Sequence, residues 1–156
     1  MVECDFEKIL PHRSPMILID AVESVDFDAG ELVARVDVKE SDILFQADIN
    51  GVPSWVALEY MAQAIGCFVG LFDMHNKTGS GAAVGFVLGS RCMNVHVPVL
   101  ESGKSYFVRV SSQFNDANIA SFDCVMYNDE NQPVADAALN VFRPDNIQEF
   151  MREMHE

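Results

Sequence analysis

Basic residues are scarce in this sequence, and their scarcity excludes two kinds of partner. Lys and Arg together number 10 against 24 Asp and Glu in 156 residues, so the formal net charge is −14. Proteins bind nucleic acids through clustered positive charge, and the negative surface of a membrane attracts basic segments in the same way. We therefore expect no nucleic-acid partner and no membrane partner for this chain.

The sequence also lacks the residue spacings of a redox pair or of a metal site. Its four cysteines, Cys4, Cys67, Cys92 and Cys124, are far apart and form no CxxC pair. Isolated cysteines of this kind are typical of free thiols in a reducing compartment, which predicts a cytoplasmic protein. There is no phosphate-binding glycine loop either, and we expect neither a metal nor another cofactor.

Long uncharged segments are absent as well. The longest uncharged apolar run, Tyr60 to Phe72, is shorter than the roughly 20 residues that span a bilayer. The N-terminus carries Glu3, Asp5 and Glu7, whereas a secretory signal has a basic segment followed by an apolar one. We therefore expect no signal peptide.

The sequence does contain one long apolar helix pattern and many β-rich segments. Residues 55–72 are apolar almost all round, with Ser54 placed to cap the helix, so other elements must cover it. A hairpin formed by residues 16–25 and 31–38 precedes this helix. Further β-rich segments follow it at residues 84–88, 93–99, 105–114, 120–127 and 134–141. This order predicts a single α+β domain over residues 1–156, with an antiparallel sheet wrapped around one long central helix and short helices at both ends.

The predicted helix contains one carboxylate with an amide close to it. Between Trp55 and Phe72 the strongly polar side chains are Glu59 and Gln63, and their spacing of four residues puts them on one helix face. Burial disfavours the charged form of a carboxyl group, so Glu59 is suited to acid or base catalysis near neutral pH. The alternative is a structural carboxyl that is hydrogen-bonded to Gln63 or to backbone donors, and the spacing alone does not decide between them.

Two segments resemble motifs of the β-hydroxyacyl-acyl-carrier-protein dehydratases. ILPHRSPMILID at residues 9–20 resembles their LPHRxPxLLxD segment, and LEYMAQ at residues 58–63 resembles their helical LEAMAQ motif. Residues 86–89 and 97–103 are similar to a strand and turn of the same family, and VPSW at residues 52–55 is similar to its aryl-polyene-cluster branch. The resemblance implies a hotdog fold and a dehydratase-like protein that acts on acyl thioesters in fatty-acid or polyketide biosynthesis.

The chain departs from this family at one catalytic position. The dehydratases pair the helical Glu with a His in an HFPG segment fourteen residues earlier, usually across a dimer interface, and Phe45 stands at that position here. If the chain is a lyase, Glu59 protonates the departing hydroxyl, and Asp48 or His12, of the same or of the neighbouring protomer, takes the C2 proton. The resemblance therefore favours an enzyme but leaves the base unassigned.

Five residues are expected to contact the substrate. The Gly51 and Ser54 amides at the predicted helix start are suited to hold the thioester oxygen. The side chains of Gln63, Trp55 and Phe45 complete the expected binding site. The substrate is then an acyl thioester of an acyl carrier protein or of coenzyme A. Coenzyme A is included because acyl carrier proteins are acidic, and this acidic chain offers few cations to bind one.

Two other functions fit the same sequence. The hotdog fold also carries thioesterases, in which a helical carboxylate works through water, so an acyl-thioester hydrolase is one alternative. The other is a non-catalytic subunit that binds the acyl chain, or that completes a heteromer with a paralogue carrying the histidine. In each case a lone sheet would leave its edge strands exposed, so we expect a homodimer or a larger assembly.

Overall fold

Eight strands and three α-helices form the described part of the chain, residues 1–77, 85–116 and 118–155 of a computed structural model. The strands are β1 (Ala21–Asp26), β2 (Glu31–Asp37), β3 (Gly51–Pro53), β4 (Phe86–Val95), β5 (Val99–Glu101), β6 (Ser105–Asp116), β7 (Ile119–Asn128) and β8 (Pro133–Phe142). The helices are α1 (Phe6–Ile9), α2 (Ala57–Asn76) and α3 (Ile147–Met154), with turns of 3₁₀ helix at Ala47–Ile49 and Ser54–Val56.

The strands form one large antiparallel sheet and one small one. Six strands lie in the spatial order β1-β2-β6-β7-β8-β4, and β3 pairs separately with β5. Helix α2 packs against β2, β6, β7 and β8 of the large sheet. Its buried residues, among them Met61, Ala64 and Phe68, belong to one hydrophobic core with the inward-facing side chains of the strands. The predicted α+β architecture, an antiparallel sheet around one long helix, is confirmed.

One pair of predicted strands is organised differently in the structure. The segments predicted at residues 84–88 and 93–99 are largely one strand, β4, which continues through an irregularity between Arg91 and Asn94. Cys92 has a φ of 56° within this irregularity, and such a bulge accommodates extra residues without ending the strand. Val99 belongs instead to β5, and Val84 lies outside the described residues.

The start of the long helix also differs from the prediction. Helix α2 begins at Ala57, after a turn of 3₁₀ helix, and the side chain of Ser54 makes no capping hydrogen bond. The prediction that Ser54 caps the helix with its side chain is therefore wrong. The backbone closes the turn instead, since the Ala57 N–H donates to the carbonyls of Ser54 and Trp55.

Helix α2 has the length and composition of a membrane span, although more than half of it is buried in the core of the fold. The segment Ser54–Asn76 has 23 residues with a mean hydropathy of 1.4 in its most apolar window, of which 56% is buried inside the fold. The uncharged run is shorter than this because Glu59 lies within the segment. The core helix of a sheet-wrapped fold meets the same criterion, so the hydropathy follows from the packing described above.

Candidate active site

Close packing of the N-terminal segment on α2 positions His12. Ile9 and Leu10 are buried against the helix at two glycines. A Cβ atom on Gly70 would lie 2.5 Å from the Ile9 carbonyl oxygen, and one on Gly66 would lie 2.7 Å from Leu10 Cδ2. A side chain at Gly70 would force the backbone at Ile9 to move, whereas one at Gly66 would displace the end of the Leu10 side chain. The approach at Gly70 therefore fixes the path of the chain that leads to His12.

His12 and Glu59 meet on the surface of α2. His12 Nε2 lies 3.4 Å from Glu59 Oε1, and the two side chains are 31% and 40% exposed. The premise that Glu59 is buried by the sheet is therefore wrong, because this carboxyl lies on a helix face that lines an open cavity. His12 Nδ1 is buried and has no hydrogen-bond partner among the described residues. An imidazole and a carboxyl in this arrangement can exchange a proton with each other and with a molecule beside them.

Gln63 connects this pair to the N-terminal segment. Its Nε2 donates to Glu59 Oε1 at 3.0 Å and to the Met16 carbonyl at 2.8 Å, while its Oε1 accepts from the Leu18 N–H at 2.8 Å. The side chain is fully buried and does not line the cavity. No contact of Gln63 with the cavity supports the predicted substrate contact, which stays a prediction. Its hydrogen bonds occupy the amide and hold Glu59 and the segment around Met16 in place.

Replacing Gln63 with leucine is expected to destabilise the fold. Gln63→Leu roughly keeps the side-chain volume but leaves the Leu18 N–H and the Met16 carbonyl without their partner. An unsatisfied buried polar group costs about 1 to 3 kcal/mol of stability. Urea unfolding should therefore show a lower midpoint with an unchanged slope. Gln113→Leu, at an exposed position on β6, is the matched control. Equal midpoints for the two variants would contradict the role assigned to Gln63.

A cavity of about 580 Å³ extends from the His12–Glu59 pair along α2. Its volume is in the range of pockets that hold small ligands. Much of its wall is aromatic: the rings of Phe27, Phe68, Phe72 and Phe122 contact one another with centroids 5.9 to 6.1 Å apart. The cavity is thus an apolar groove with an acid–base pair in its lining, which suits a ligand with a reactive group and an apolar tail.

A second polar pair lines the same cavity. Asp73 is 6% exposed, and its Oδ2 lies 2.6 Å from Nη1 of Arg143, which follows strand β8. This pair is absent from the sequence-based predictions. One signal for it exists in the sequence, since Asp73 comes fourteen residues after Glu59 and so returns to nearly the same helix face. An acid in the last turn of a helix is also disfavoured by the helix dipole, which suggests that a partner is needed.

Three predicted site residues lie away from this cavity. Asp48 is exposed on the 3₁₀ turn at residues 47–49, Phe45 is half-buried, and Trp55 is 65% exposed. None of them lines the cavity. Their separation from it has a structural cause, because the pairing of β3 with β5 directs this segment towards residues 98–101. Within one chain, therefore, His12 and Glu59 are in contact, whereas Asp48 is not part of the same site.

The predicted site for the thioester oxygen is also occupied by the protein itself. The Gly51 N–H donates to the Gln46 carbonyl at 3.4 Å, and the Ser54 N–H donates to the Pro98 carbonyl at 3.2 Å. Both amides already donate within the chain, and their predicted role in holding the thioester oxygen stays a prediction. Gly51 is needed for another reason, since a Cβ atom there would lie 2.3 Å from the Leu100 carbonyl oxygen.

The fold and the cavity together define a hotdog protein with an acidic residue on its central helix. The structure of the dehydratase heterocomplex ApeI:P from Xenorhabdus doucetiae superposes with a TM-score of 0.88 at 24% identity, covering 99% of this chain and 100% of that chain. A hypothetical thioesterase with coenzyme A from Streptococcus pneumoniae TIGR4 gives 0.57 at 15% identity, covering 79% and 84%. At these identities the likeness shows the shared fold.

The chain belongs to the ApeP-like family, whose model, described as ApeP dehydratase, matches residues 4–152. Curated relatives include the 3-hydroxyacyl-[acyl-carrier-protein] dehydratase FabZ of Chlamydia trachomatis serovar L2, 33% identical over 70 residues, and that of Latilactobacillus sakei, 43% identical over 63 residues. These matches cover 43% and 38% of this chain. The chain spans a little under half the length of these relatives, 46% and 44%. The resemblance to the dehydratase family is confirmed.

Proposed function

We propose that this chain is a 3-hydroxyacyl-thioester dehydratase subunit in which Glu59 is the acid. The observation that carries the proposal is the 3.4 Å contact between His12 and Glu59 in the lining of the 580 Å³ apolar cavity. Membership of the ApeP-like family supports it, as does the dehydratase name of the FabZ relatives. The apolar wall accommodates an acyl chain, and the acid–base pair supplies the two proton transfers that dehydration requires.

Dehydration removes a proton from C2 of the acyl group and a hydroxyl from C3. His12 Nε2 takes the C2 proton, and the electron pair of that C–H bond becomes the C2=C3 double bond. Glu59 donates its proton to the hydroxyl, which leaves as water with the electron pair of the C3–O bond. The reaction leaves an imidazolium beside a carboxylate, 3.4 Å apart, and water in the open cavity returns the proton from His12 to Glu59 Oε2 to restore the starting state.

The hydrogen bond from Gln63 determines which carboxyl oxygen can act. Glu59 Oε1 faces Gln63 Nε2 and His12 Nε2, so Oε2 is the oxygen left to approach the substrate. A catalytic group whose rotamer is held by a buried neighbour loses little freedom when substrate binds. Gln63 is therefore a positioning residue for Glu59 in this mechanism.

The substrate we infer is the thioester of an acyl carrier protein or of coenzyme A, in fatty-acid or aryl-polyene-type polyketide biosynthesis in the cytoplasm. The 3-hydroxyacyl-[acyl-carrier-protein] dehydratases among the relatives support the carrier protein. The net charge of −14 disfavours an acidic carrier unless a partner subunit supplies a basic surface. Both carriers share the reacting group, so the chemistry at Glu59 is the same for each.

We also propose that the chain works as a dimer or larger assembly, either with itself or with a paralogue. Strand β4 is an edge strand of the large sheet, and Val87, Leu88 and Val95 on it are 43%, 59% and 46% exposed. Edge strands of this length pair readily with another chain. The heterocomplex named for the ApeI:P structure supports an unlike partner.

Light scattering on the purified chain tests the assembly. We expect a mass of at least twice the 17.3 kDa of one chain at micromolar concentration, because burial of the β4 edge removes exposed apolar side chains and unpaired backbone groups from water. Leu88→Lys is expected to lower that mass by placing a charge on the edge strand. A wild-type chain that remains monomeric, both alone and with a co-encoded paralogue, contradicts the proposal.

The exposure of Glu59 favours a second candidate function. A carboxyl that is 40% exposed has access to water, which a hotdog thioesterase needs for hydrolysis, and hypothetical thioesterases share the fold. Among the described residues no cysteine lines the cavity, and burial raises the pKa of the Cys67 thiol in α2, so these residues offer no thiol nucleophile there. A hydrolase in this fold would therefore use Glu59 and water directly.

Product analysis separates these functions. Purified chain is incubated with a 3-hydroxyacyl thioester and with the saturated thioester of the same length, alone and with a co-encoded paralogue. We expect an enoyl thioester from the first substrate and no change in the second. Release of free thiol from both substrates would assign the hydrolase, and absence of any product under all conditions would assign a non-catalytic subunit.

A further inference from the structure

A second, smaller pocket lies apart from the cavity along α2. Its volume is about 160 Å³, room for about five water molecules at roughly 30 Å³ each, and it shares no lining residue with the cavity. The N-terminal segment, the loop after β2 and helix α2 meet there. The polar side chains in its lining are those of Ser14, Asp20, Lys39, Ser41, Asp42 and Tyr60. The pocket is therefore polar, in contrast to the aromatic groove beside Glu59.

The hydroxyl of Tyr60 has no hydrogen-bond partner in the described part of the chain. Tyr60 is only 2% exposed, and it lines the small pocket. Burial raises the pKa of this hydroxyl, and the charges of Asp42 and Asp20 raise it further, so the protonated hydroxyl lies near both carboxylates. Buried polar groups are normally hydrogen-bonded, so a hydroxyl left without a partner indicates a ligand from outside the chain.

The position of Tyr60 in the helix separates this hydroxyl from the reaction at Glu59. Alanine takes its place in the LEAMAQ motif of the dehydratases, so the hydroxyl is not part of the chemistry that the motif serves. Glu59 precedes it directly, and adjacent helix positions point in directions about 100° apart. The two side chains accordingly line different pockets.

The charges around the small pocket favour a cationic ligand. Two carboxylates, Asp20 and Asp42, share the pocket with one ammonium, that of Lys39. Lys39 Nζ lies 2.7 Å from Asp20 Oδ1 and neutralises that carboxylate. Asp42 accepts the Lys39 backbone N–H at 2.8 Å and forms no ion pair with another described residue. One negative charge is therefore left over, and it repels an anionic ligand.

An organic cation fits this pocket better than a metal ion does. The ammonium of Lys39 would repel a metal ion, and the described residues contain no group of three or more side chains that could hold one. Carboxylate and hydroxyl oxygens accept hydrogen bonds from N–H groups, and here they come from three segments of the chain. A guanidinium group suits such acceptors, because it spreads its N–H donors around a plane and is weakly hydrated.

We propose that this pocket binds a single guanidinium group. Its N–H groups donate to the carboxylate of Asp42 and to the oxygen of Tyr60, while the O–H of Tyr60 turns towards a carboxylate oxygen. The group belongs either to a small free cation or to an arginine side chain of a partner chain. The net charge of −14 suits a basic partner, which would also cover Ile43, a lining residue that is 51% exposed.

NMR titration of the full chain with three probes tests the proposal. N-acetyl-arginine methylamide supplies the guanidinium group, the matching citrulline derivative has N–H groups without the charge, and tetramethylammonium has the charge without N–H groups. We expect saturable shifts of the Asp42 amide and the Tyr60 ring at millimolar concentrations of the arginine derivative alone. Absence of saturation with this probe, or equal shifts with tetramethylammonium, would overturn the proposal.

Variants of the two proposed contacts assign the binding to this pocket. Tyr60→Phe should weaken binding of the arginine derivative by about 2-fold to 10-fold, and Asp42→Asn by about 10-fold to 100-fold, as for hydrogen bonds to neutral and charged groups. Tyr127→Phe and Asp123→Asn, both on β7, are the matched controls and keep the wild-type affinity. Unchanged affinity in both pocket variants would overturn the proposal.

The stability of Tyr60→Phe shows whether the hydroxyl is free. We expect its urea midpoint to equal or exceed that of the wild type, because the change removes a buried hydroxyl without removing a hydrogen bond within the fold. A lower midpoint than the wild type would show that the hydroxyl is bonded inside the protein, and would overturn the proposal.

Calorimetry with a co-encoded paralogue identifies the source of the guanidinium group. Weaker assembly in Asp42→Asn and Tyr60→Phe would assign it to an arginine side chain of that partner. Unchanged assembly, with weaker binding of the arginine derivative in the same variants, would assign it to a free guanidinium compound. Neither result depends on turnover at Glu59, so failure of the dehydratase assignment and failure of this proposal are distinguishable.

Discussion

Glu59→Gln is expected to lower kcat/KM for a 3-hydroxyacyl thioester by about 10² to 10⁴-fold, the usual contribution of a positioned acid. The amide keeps the size of the carboxyl, and its oxygen can still accept the hydrogen bond from Gln63 Nε2. It cannot deliver a proton to the departing hydroxyl, so the C3–O bond has no acid to assist its cleavage. Steady-state kinetics of enoyl-thioester formation measure the loss.

The control for this variant is a carboxyl of the same type elsewhere on the surface. Glu130 is exposed in the turn between β7 and β8, and Glu130→Gln is expected to retain wild-type kinetics. Thermal unfolding should place both variants close to the wild type, because Glu59 is partly exposed and its replacement leaves no buried charge without a partner. Full activity in a folded Glu59→Gln protein would return this residue to the structural role that its spacing from Gln63 also allows.

His12→Asn is expected to have a loss of similar size, about 10² to 10⁴-fold in kcat/KM, because the side-chain amide cannot accept the C2 proton. The imidazole Nε2 lies 3.4 Å from Glu59 Oε1, and among the described residues no other basic side chain forms an ion pair with this carboxyl. His155→Asn, at an exposed position after α3, is the control for replacing a histidine. The measurement is again the rate of enoyl-thioester formation.

Asp48→Asn distinguishes this base from the alternative taken from the sequence. Asp48 is exposed and does not line the cavity, so its replacement should have no effect on a reaction confined to one chain. A large loss in Asp48→Asn, or activity that appears only with Phe45→His or with an HFPG-bearing paralogue, would assign the base to the segment around residue 45 and to an assembly of two chains. His12 would then hold the chain in place without moving the C2 proton.

The sheet and the long helix were predictable because each leaves a periodic signal in a single stretch of sequence. The helix at residues 55–72 had to be covered, since it lacks a polar face, and the β-rich segments after it were numerous enough to cover it. The helical spacing of Glu59 and Gln63 likewise predicted their contact, which the structure shows at 3.0 Å. Features of this kind depend on local geometry alone.

The partner of Glu59 was harder to predict because it depends on packing between distant segments. His12 lies beside Glu59 in a segment that packs closely on α2 at Gly66 and Gly70. Closeness in sequence does not bring Asp48 to Glu59 within the chain, since Asp48 is eleven residues away but lies on a segment that the pairing of β3 with β5 directs elsewhere. Which backbone amides remain free is likewise decided by tertiary hydrogen bonds and leaves no periodic signal.

A double-mutant cycle on Glu59→Gln and His12→Asn tests most directly whether the two residues act as one acid–base pair. Groups that act as a unit have strongly non-additive effects on rate, because removing one already disables the step that needs both. We expect the double variant to form enoyl thioester at about the rate of the slower single variant. Rate losses that multiply, so that the double variant is slower by the product of the two single effects, would contradict a shared role.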